Sequence, residues 1–451
     1  MSAAATTATS PIRFPDAGSS TLMGKRAWWL VGLGILIPGS AQLLAGNRRL
    51  GRFAVSTTFI FWAIAVLGLG LFLGWRTGFL TLATNVIALS VIQVVLAFYA
   101  ILWVVLAVDT LRLVRLVRIA PVARIAVTML ATVAIVATVG VAGYGAVVAG
   151  SARSLLTGVF GGTNYAQPID GRYNVLLLGG DAGADRIGLR PDSISVVSID
   201  AASGASTIIG IPRNLENNIP LVPDSPLLAE FPNGYNCGNE CRISYLYTYG
   251  HEHPDLYPDA VAEGSDPGVE AMRDAVEAVT GLTMQYYVLI DMQGFSQLVD
   301  ALGGVTIDVQ SKVLLGKNGE DPIGAIPAGL QTMDGATALW YARSRYNVTD
   351  YDRMLRQREV QEAILGQFDP ANVLTKFQAV AEAGAQVVKT DIPQGMLPLF
   401  VELGQKAKAQ PITTVELIPP TVITANPDID AIKALIATAL AQSTATPAPT
   451  P

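Results

Sequence analysis

Apolar residues follow two different rhythms along this chain. Between about residues 27 and 150 they form long runs, at 27–46, 53–74, 80–108 and 125–150. Each run is near the roughly 20 residues needed to cross a bilayer as a helix, so 25–150 is expected to be a multi-span transmembrane region. Pro38-Gly39 interrupts the first run, which therefore either spans or folds back as a re-entrant hairpin. Residues 1–24, rich in Ala, Ser, Thr and Pro, read as a disordered tail without the charged-then-apolar layout of a cleavable signal peptide.

Past a Gly/Ser/Thr-containing linker at 151–168 the rhythm shortens. Strand-like runs at Val175–Leu178, Ser193–Ile199 and Ser206–Ile211 come first, followed by an irregular stretch at 214–250 rich in Pro, Asn, Gly and Tyr. Pro267–Gly281 reads as a helix, with Val269, Met272, Val276 and Val279 on one face and a closing glycine. Tyr286–Ile290 and Val305–Val309 read as strands around a helix at Gly294–Leu302, and further helices are expected at 333–342, 351–368, 371–388 and 429–441. This alternation predicts an α/β domain over 169–441 with helices on both faces of a central sheet. Residues 442–451 are of low complexity and read as a second disordered tail.

Charge sharpens the division. Residues 1–150 carry 11 Lys and Arg against 2 acidic residues, and 151–451 carry 19 against 34, so net charges of +9 and −15 make up the overall −6. A basic apolar half followed by an acidic polar half is the signature of a membrane anchor and a water-exposed domain, and the acidic balance argues against nucleic acid as a partner. Arg48, Arg49 and Arg52 follow the first apolar run, and Arg112, Arg115, Arg118 and Arg124 precede the last. Both loops are then expected on the cytoplasmic side, with the C-terminal domain outside the cell. Four full spans would put the N-terminus outside, whereas Lys25-Arg26 favours the inside. Almost no ionisable group lies within the runs, so no transport pathway is expected.

The two cysteines, Cys237 and Cys241, stand four apart. A disulfide closing a small loop suits that spacing and an oxidising compartment, a zinc site would have to recruit His251 and His253, and two free thiols are the third reading. Candidate chemistry concentrates elsewhere. The three strand ends carry Asp181, Arg190, Asp192 and Arg213, and the stretch 341–365 holds Arg343, Arg345, Arg353, Arg356 and Arg358. On a helix, Arg353, Arg356 and Gln357 share a face. A solvated face with Asp350, Asp352 and Glu359 as ion-pair partners is the plainer reading. An arginine cluster facing carboxylates also suits a phosphate diester or pyrophosphate with a bound metal, because guanidinium binds phosphate bidentately and Mg²⁺ takes one or two carboxylates beside phosphate oxygens. No GxxxxGK[ST] loop and no GxGxxG opening a helix occurs, and the histidines, in HEHPD, offer little for a triad.

The segments NVLLLGGDAGADRIGLRPDSISVVSID, IPRNL, YYVLIDMQGFSQLVDALGGVTIDV, TMDGATALWYARSR and DYDRMLRQREV, in that order over about 170–370, resemble the LytR-CpsA-Psr family of cell-wall glycopolymer ligases. FPNGYNC and the paired cysteines resemble its actinobacterial branch. The resemblance implies an α/β/α sandwich with a central mixed sheet, and transfer of a glycan phosphate from a polyprenyl-pyrophosphate carrier to a peptidoglycan hydroxyl. It further implies Mg²⁺ held by Asp181 and Asp192. Arg190, Arg213, Arg343, Arg345, Arg353 and Gln357 would grip the pyrophosphate, with Arg343 and Arg345 beside the two aspartates in catalysis. Arg356 would assist, and Arg242 stands where many members have Lys. Asn214 departs from the Asp that often follows the IPR arginine. Two other functions fit the same residues: hydrolysis of polyprenyl pyrophosphate with water as acceptor, and non-catalytic binding of a wall polymer.

Overall fold

The computed structural model describes residues 12–444 apart from 17, 161, 163, 182–189, 218, 238–240, 317–320, 368–387 and 409. The chain divides into two compact units, Met1–Arg153 and Ser154–Pro451.

In the first unit α1 (Ser20–Leu36) and α2 (Ser40–Ala45) precede α3 (Arg48–Gly74), α4 (Arg76–Ala83), α5 (Val86–Val114) and most of α6 (Pro121–Val159), which runs past Arg153 into the second. Among the described residues, three helices are long and apolar enough to cross a membrane: Arg48–Gly74, Val86–Arg118 and Pro121–Val159. The first apolar run is a helical hairpin, not one span. Pro38 has no N–H with which to continue α1, and Gly39 adopts φ +95°, where a Cβ would lie 2.6 Å from that of Ala54. The hairpin is tied down by hydrogen bonds: Gln42 Nε2 donates to Leu106 O at 2.9 Å, and Arg26 donates to Ile12 O and Leu113 O at 2.6 and 2.7 Å. The expected run at 80–108 divides at Asn85, whose side chain accepts from Ala88 N and starts α5. The last run continues to Val159, so residues 151–159 are helix where a linker is expected. Ala152, Leu156 and Val159 are buried there, and apolar contact outweighs the helix cost of Gly158.

The second unit is built on a six-stranded mixed sheet of order β10-β3-β2-β1-β4-β9. Its strands are β1 (Arg172–Asp181), β2 (Arg190–Asp200), β3 (Ser206–Ile211), β4 (Tyr286–Asp291), β9 (Val388–Thr390) and β10 (Thr413–Glu416). β1 runs antiparallel to β2 and parallel to β4. Alternation along β1 sends Leu176 and Leu178 to one face, with Val269, Met272, Val276 and Val279 of α8 (Pro267–Thr280) and with Ile432 and Ile436. Tyr173 and Val175 go to the other, with Tyr286, Ile392, Met396 and Leu403. This is the α/β/α sandwich. α8 begins at Pro267 and stops at Gly281, with φ +72°, as expected, and Asp266 is its N-cap.

The rest of the unit comprises α7 (Leu246–Glu252), α9 (Met292–Leu302), β5 (Val305–Val309), β6 (Val313–Leu315), β7 (Gly324–Ile326), β8 (Gly329–Met333), α10 (Gly335–Arg343), α11 (Asp350–Gln367), α12 (Leu397–Ala407) and α13 (Ile429–Thr444). β8 pairs with β5, and its last residue, Met333, lies where the sequence pattern starts a helix. α13 runs through 442–444, which the composition assigns to a tail. The expected helix at 371–388 falls, but for Val388 in β9, outside the described residues.

Candidate functional site

Strand register brings the predicted charged residues to one end of the sheet. Because β1 and β2 are antiparallel, the carboxyl end of β1 meets the amino end of β2, with Asp181 opposite Arg190. Gly179 pairs with Ser193 and Gly180 with Pro191, so Asp192 is the extra residue of a β-bulge, a device that re-aims a side chain out of the ladder. β2 pairs with β3 with Ile194 opposite Ile211. Carried two residues further, that register sets Asp192 across from Arg213, and Arg213 Nη1 lies 2.5 Å from Asp192 Oδ1.

The connection from α10 to α11 supplies the other half. Asp334 caps α10 by accepting from Thr337 N, and the buried Ser344 donates to Leu314 O at 2.7 Å. At the start of α11, Thr349 N donates to Asp352 Oδ2 at 2.8 Å. Between these anchors Arg345 reaches Asp192 Oδ2 at 3.6 Å and Asp350 Oδ1 at 3.8 Å. Asp350, the first residue of α11, takes Arg213 Nε at 3.0 Å and Arg353 Nη2 at 3.1 Å. Among the described residues, three arginines and two carboxylates thus form one network. An acidic residue in a helix's first turn is favoured by the helix dipole, and Asp350 and Arg353 are neighbours at i, i+3.

Burial and charge act against each other here. Burial alone would push the Asp350 carboxyl up, but the Arg353 and Arg213 guanidiniums hold it below the usual carboxylate range. Burial draws Arg213 down, and Asp192 and Asp350 more than restore it, to above the ordinary arginine value. Arg353 is only 2% exposed and its pKa is lowered by that burial, yet guanidinium stays charged at any working pH.

The remaining residues take distinct places. Arg190 is half-buried with its guanidinium 4.8 Å from the centre of the Tyr245 ring, a cation–π contact. Arg343 ends α10, lies 5.2 Å from the Trp340 ring, and pairs with no carboxylate among the described residues. Arg242 pairs with Glu216 at 3.6 Å, one residue before the turn that carries Tyr245. Gln357 is half-buried, one turn beyond Arg353 on α11. The backbone of Asp181 closes β1, and its side chain lies outside the described residues. Arg356 is buried and donates to Ser344 O at 2.5 Å and Asp352 O at 3.4 Å, so it braces the turn before α11. Arg358 faces away from the site and holds Glu416 of β10 at 2.5 Å. Cys237 and Cys241 form a disulfide. His251 pairs with Asp266, and His253 Nδ1 lies 2.8 Å from Tyr249 O.

Two participants escape the sequence reading. Asp350 there is a partner on a solvated face, and its i, i+3 spacing to Arg353 is the one local signal of its position. Tyr245 has none, because its contact with Arg190 spans 55 positions.

No group of three or more acidic, His or Cys side chains able to cage a metal occurs among the described residues. Asp192 is nonetheless a hard-oxygen donor, on the bulge across from Gly179 and Gly180. That donor type fits Mg²⁺ completing its shell with phosphate oxygens and water.

A family model described as "LytR_cpsA_psr family" matches residues 162–444. The cell wall biosynthesis protein LcpA of Corynebacterium glutamicum is 27% identical over 51% of this chain and 47% of its own. A polyisoprenyl-teichoic acid–peptidoglycan teichoic acid transferase, TagU of Halalkalibacterium halodurans, is 27% identical over 49% of this chain and 61% of its own. The chain thus spans about half to three-fifths of the length of these relatives. Among solved structures, a LytR-Csp2A-Psr enzyme from Actinomyces oris is similar at 22% identity and TM-score 0.42, over 62% of this chain and 94% of that one. With well over half of its length matched by the family model, the chain belongs to the LytR-CpsA-Psr family.

Proposed function

We propose that this protein is a membrane-anchored phosphotransferase that moves a glycopolymer phosphate from a polyprenyl-pyrophosphate carrier to a peptidoglycan hydroxyl. The observation that carries this reading is the cluster at the strand ends, where, among the described residues, Arg213, Arg345 and Arg353 outnumber Asp192 and Asp350. The acceptor oxygen forms a bond to the glycan-linked phosphorus as the bond from that phosphorus to the bridging oxygen breaks, and polyprenyl phosphate departs. Such transfer depends on positioning and on neutralising the phosphate oxygens, which fixed guanidiniums do with little reorganisation. Arg213 and Arg345 face the transferred phosphate, with Arg190 and Arg343 on the outer oxygens. Gln357 and Arg242 extend the grip, and a strand-end carboxylate, Asp181 or Asp192, takes the hydroxyl proton. Mg²⁺, held by Asp181 and Asp192 together with substrate oxygens, would supply further charge neutralisation.

Orientation follows from the basic loops. With three spans rather than four, Arg48, Arg49 and Arg52 begin α3, and Arg112, Arg115 and Arg118 end the second span. The positive-inside rule sets both ends, the α1–α2 hairpin and Lys25-Arg26 at the cytoplasmic side. The C-terminal domain then lies outside, the compartment in which a disulfide persists.

The test is turnover by the full chain in detergent, with a synthetic polyprenyl-pyrophosphoryl oligosaccharide and peptidoglycan, with Mg²⁺ or chelator, and with Arg343→Ala beside the wild type. Metal-dependent transfer that the variant loses is the expected result. Release of polyprenyl phosphate without transfer would replace the ligase by a hydrolase, and tight binding without product by a polymer-binding module.

A further inference from the structure

The α1–α2 hairpin leaves one face of α1 uncovered. Met23, Ala27, Leu30 and Val31 are buried with Val114, Ile119 and Val127. The opposite stripe, Lys25, Trp28, Trp29, Gly32, Leu33 and Leu36, recurs at helical spacing and lines an open groove of about 360 Å³. Gly32 leaves a notch in it, since a Cβ there would meet nothing within 4 Å. Leu36 lies eleven positions beyond Lys25, or about 16 Å along a helix, near half of the roughly 30 Å hydrocarbon core. The tip of the hairpin reaches the same depth: Thr58 Oγ1 donates to Pro38 O at 3.4 Å, and Thr58 is about 15 Å along α3 from Arg48. The groove is thus as long as one leaflet is thick.

Cations gather at its Lys25 end. Arg26 donates to Leu113 O at 2.7 Å, and a Cβ on Gly46 would lie 2.9 Å from Leu113 Cδ1, so the start of α1, the end of α5 and the α2–α3 corner meet at Leu113. Arg26 is buried and taken up by backbone carbonyls. Lys25, Arg48, Arg49, Arg112 and Arg115 are exposed, and among the described residues no carboxylate pairs with them. We propose that the groove binds an anionic phospholipid of the cytoplasmic leaflet, with its headgroup phosphate at Lys25 and an acyl chain laid over Gly32 toward Leu36. Trp28 and Trp29 then stand near the headgroup level, where indole is favoured. Charge selects this occupant: a second copy applied face to face would set Lys25 beside Lys25, and a zwitterionic lipid would leave the cations uncompensated. The proposal rests on the membrane-anchored reading above and adds the lipid class that seats the hairpin.

Brominated lipids quench a tryptophan that they touch, and they test this on the full chain reconstituted in phosphatidylcholine vesicles. Brominated phosphatidylglycerol is expected to outcompete brominated phosphatidylcholine of the same chains by about tenfold, the scale of one or two basic contacts to an anionic headgroup. Changing Trp28→Phe and Trp29→Phe together removes that difference, because the other tryptophans lie outside the groove. Lys25→Gln lowers the preference by about fivefold, and Lys25→Arg keeps it, a rescue that a merely structural role would not require. Glycerol phosphate added in solution leaves the quenching unchanged, since it has no chain to fill the groove. Its displacing the lipid would overturn the proposal in favour of a free-phosphate site, and equal quenching by the two lipids would overturn the charge selection. Quenching of neither Trp28 nor Trp29 would mean that protein covers this face. Chain that does not float with the vesicles would instead remove the membrane-anchored reading itself.

Discussion

At the strand ends three arginines, Arg213, Arg345 and Arg353, meet two carboxylates; along α8 a single Arg273 meets Glu270 at 3.3 Å and Asp391 at 2.6 Å, with Asp274 and Glu277 on the same helix. In the α8 cluster every carboxylate also has a neutral donor. Ser265 donates to Glu270, Tyr257 to Asp274 at 2.6 Å, Met284 N to Glu277 at 2.7 Å and Tyr287 N to Asp391 at 2.7 Å. Burial pushes all four of these carboxyls up, while the arginines pull Asp350 down. A cluster with surplus carboxylate, each acid also held by a neutral donor, ties α8 to the segment after β9. A half-buried cluster at the strand ends in which, among the described residues, guanidiniums outnumber carboxylates has charge left for an anion. Proportion and placement, rather than the presence of ion pairs, separate scaffold from site.

The largest effect should come from substitutions that exchange these outcomes. Arg213→Ala is expected to lower kcat/KM for polymer transfer by about 100-fold or more, the scale of removing one preorganised transition-state donor, with a small change in Tm. Arg273→Ala is expected to do the reverse, destabilising the fold by about 3–5 kcal/mol because it strands buried carboxylates, with kcat per folded molecule unchanged. Steady-state kinetics and thermal unfolding of both variants check the contrast, and equal loss of stability in the two would erase it.

Next in size is pH. Carboxyls raised in the fold, as in the α8 cluster, bind protons more tightly native than unfolded, so stability falls as pH rises from the unfolded carboxyl pKa through the raised native one. Asp350 has the opposite sign: its contribution is full above the unfolded pKa and lost as pH falls through its depressed native value. Unfolding followed across the acid range should show the first slope become shallower in Glu270→Gln and the second in Asp350→Asn. Smallest is the ring under Arg190. Tyr245→Ala should weaken pyrophosphate binding by about 0.5–1 kcal/mol and Tyr245→Phe hardly at all, since the aromatic face makes the contact.

Much of this was readable along the chain. The strands of the β1–β3 meander, α8 with its Pro267 start and Gly281 stop, and the placement of Asp192 and Arg213 at strand ends follow from local patterns. Short strands were not readable: β9 and β10 have three and four residues and exist because β4 and β3 offer them edges. Among the arginines of 343–358, spacing alone set Arg353 and Arg356 on one helix face with Gln357. Packing sorted them, sending Arg356 to backbone carbonyls and Arg358 to Glu416 and leaving Arg345 and Arg353 on the shared carboxylates.

By itself, then, the sequence determined an apolar basic region, an α/β domain after it, and which residue types crowd the strand ends, because periodicity, capping and charge are properties of neighbours in the chain. Only the tertiary structure decided that Asp350 belongs to the site, that Tyr245 lies under Arg190, and that the first apolar run folds back at Pro38-Gly39 against Ala54. The contacts that join Arg190 to Tyr245, Arg213 to Asp350 and Asp192 to Arg345 span 55, 137 and 153 positions, and an ion pair or a stacked ring depends on distance in space, which no spacing along the chain encodes.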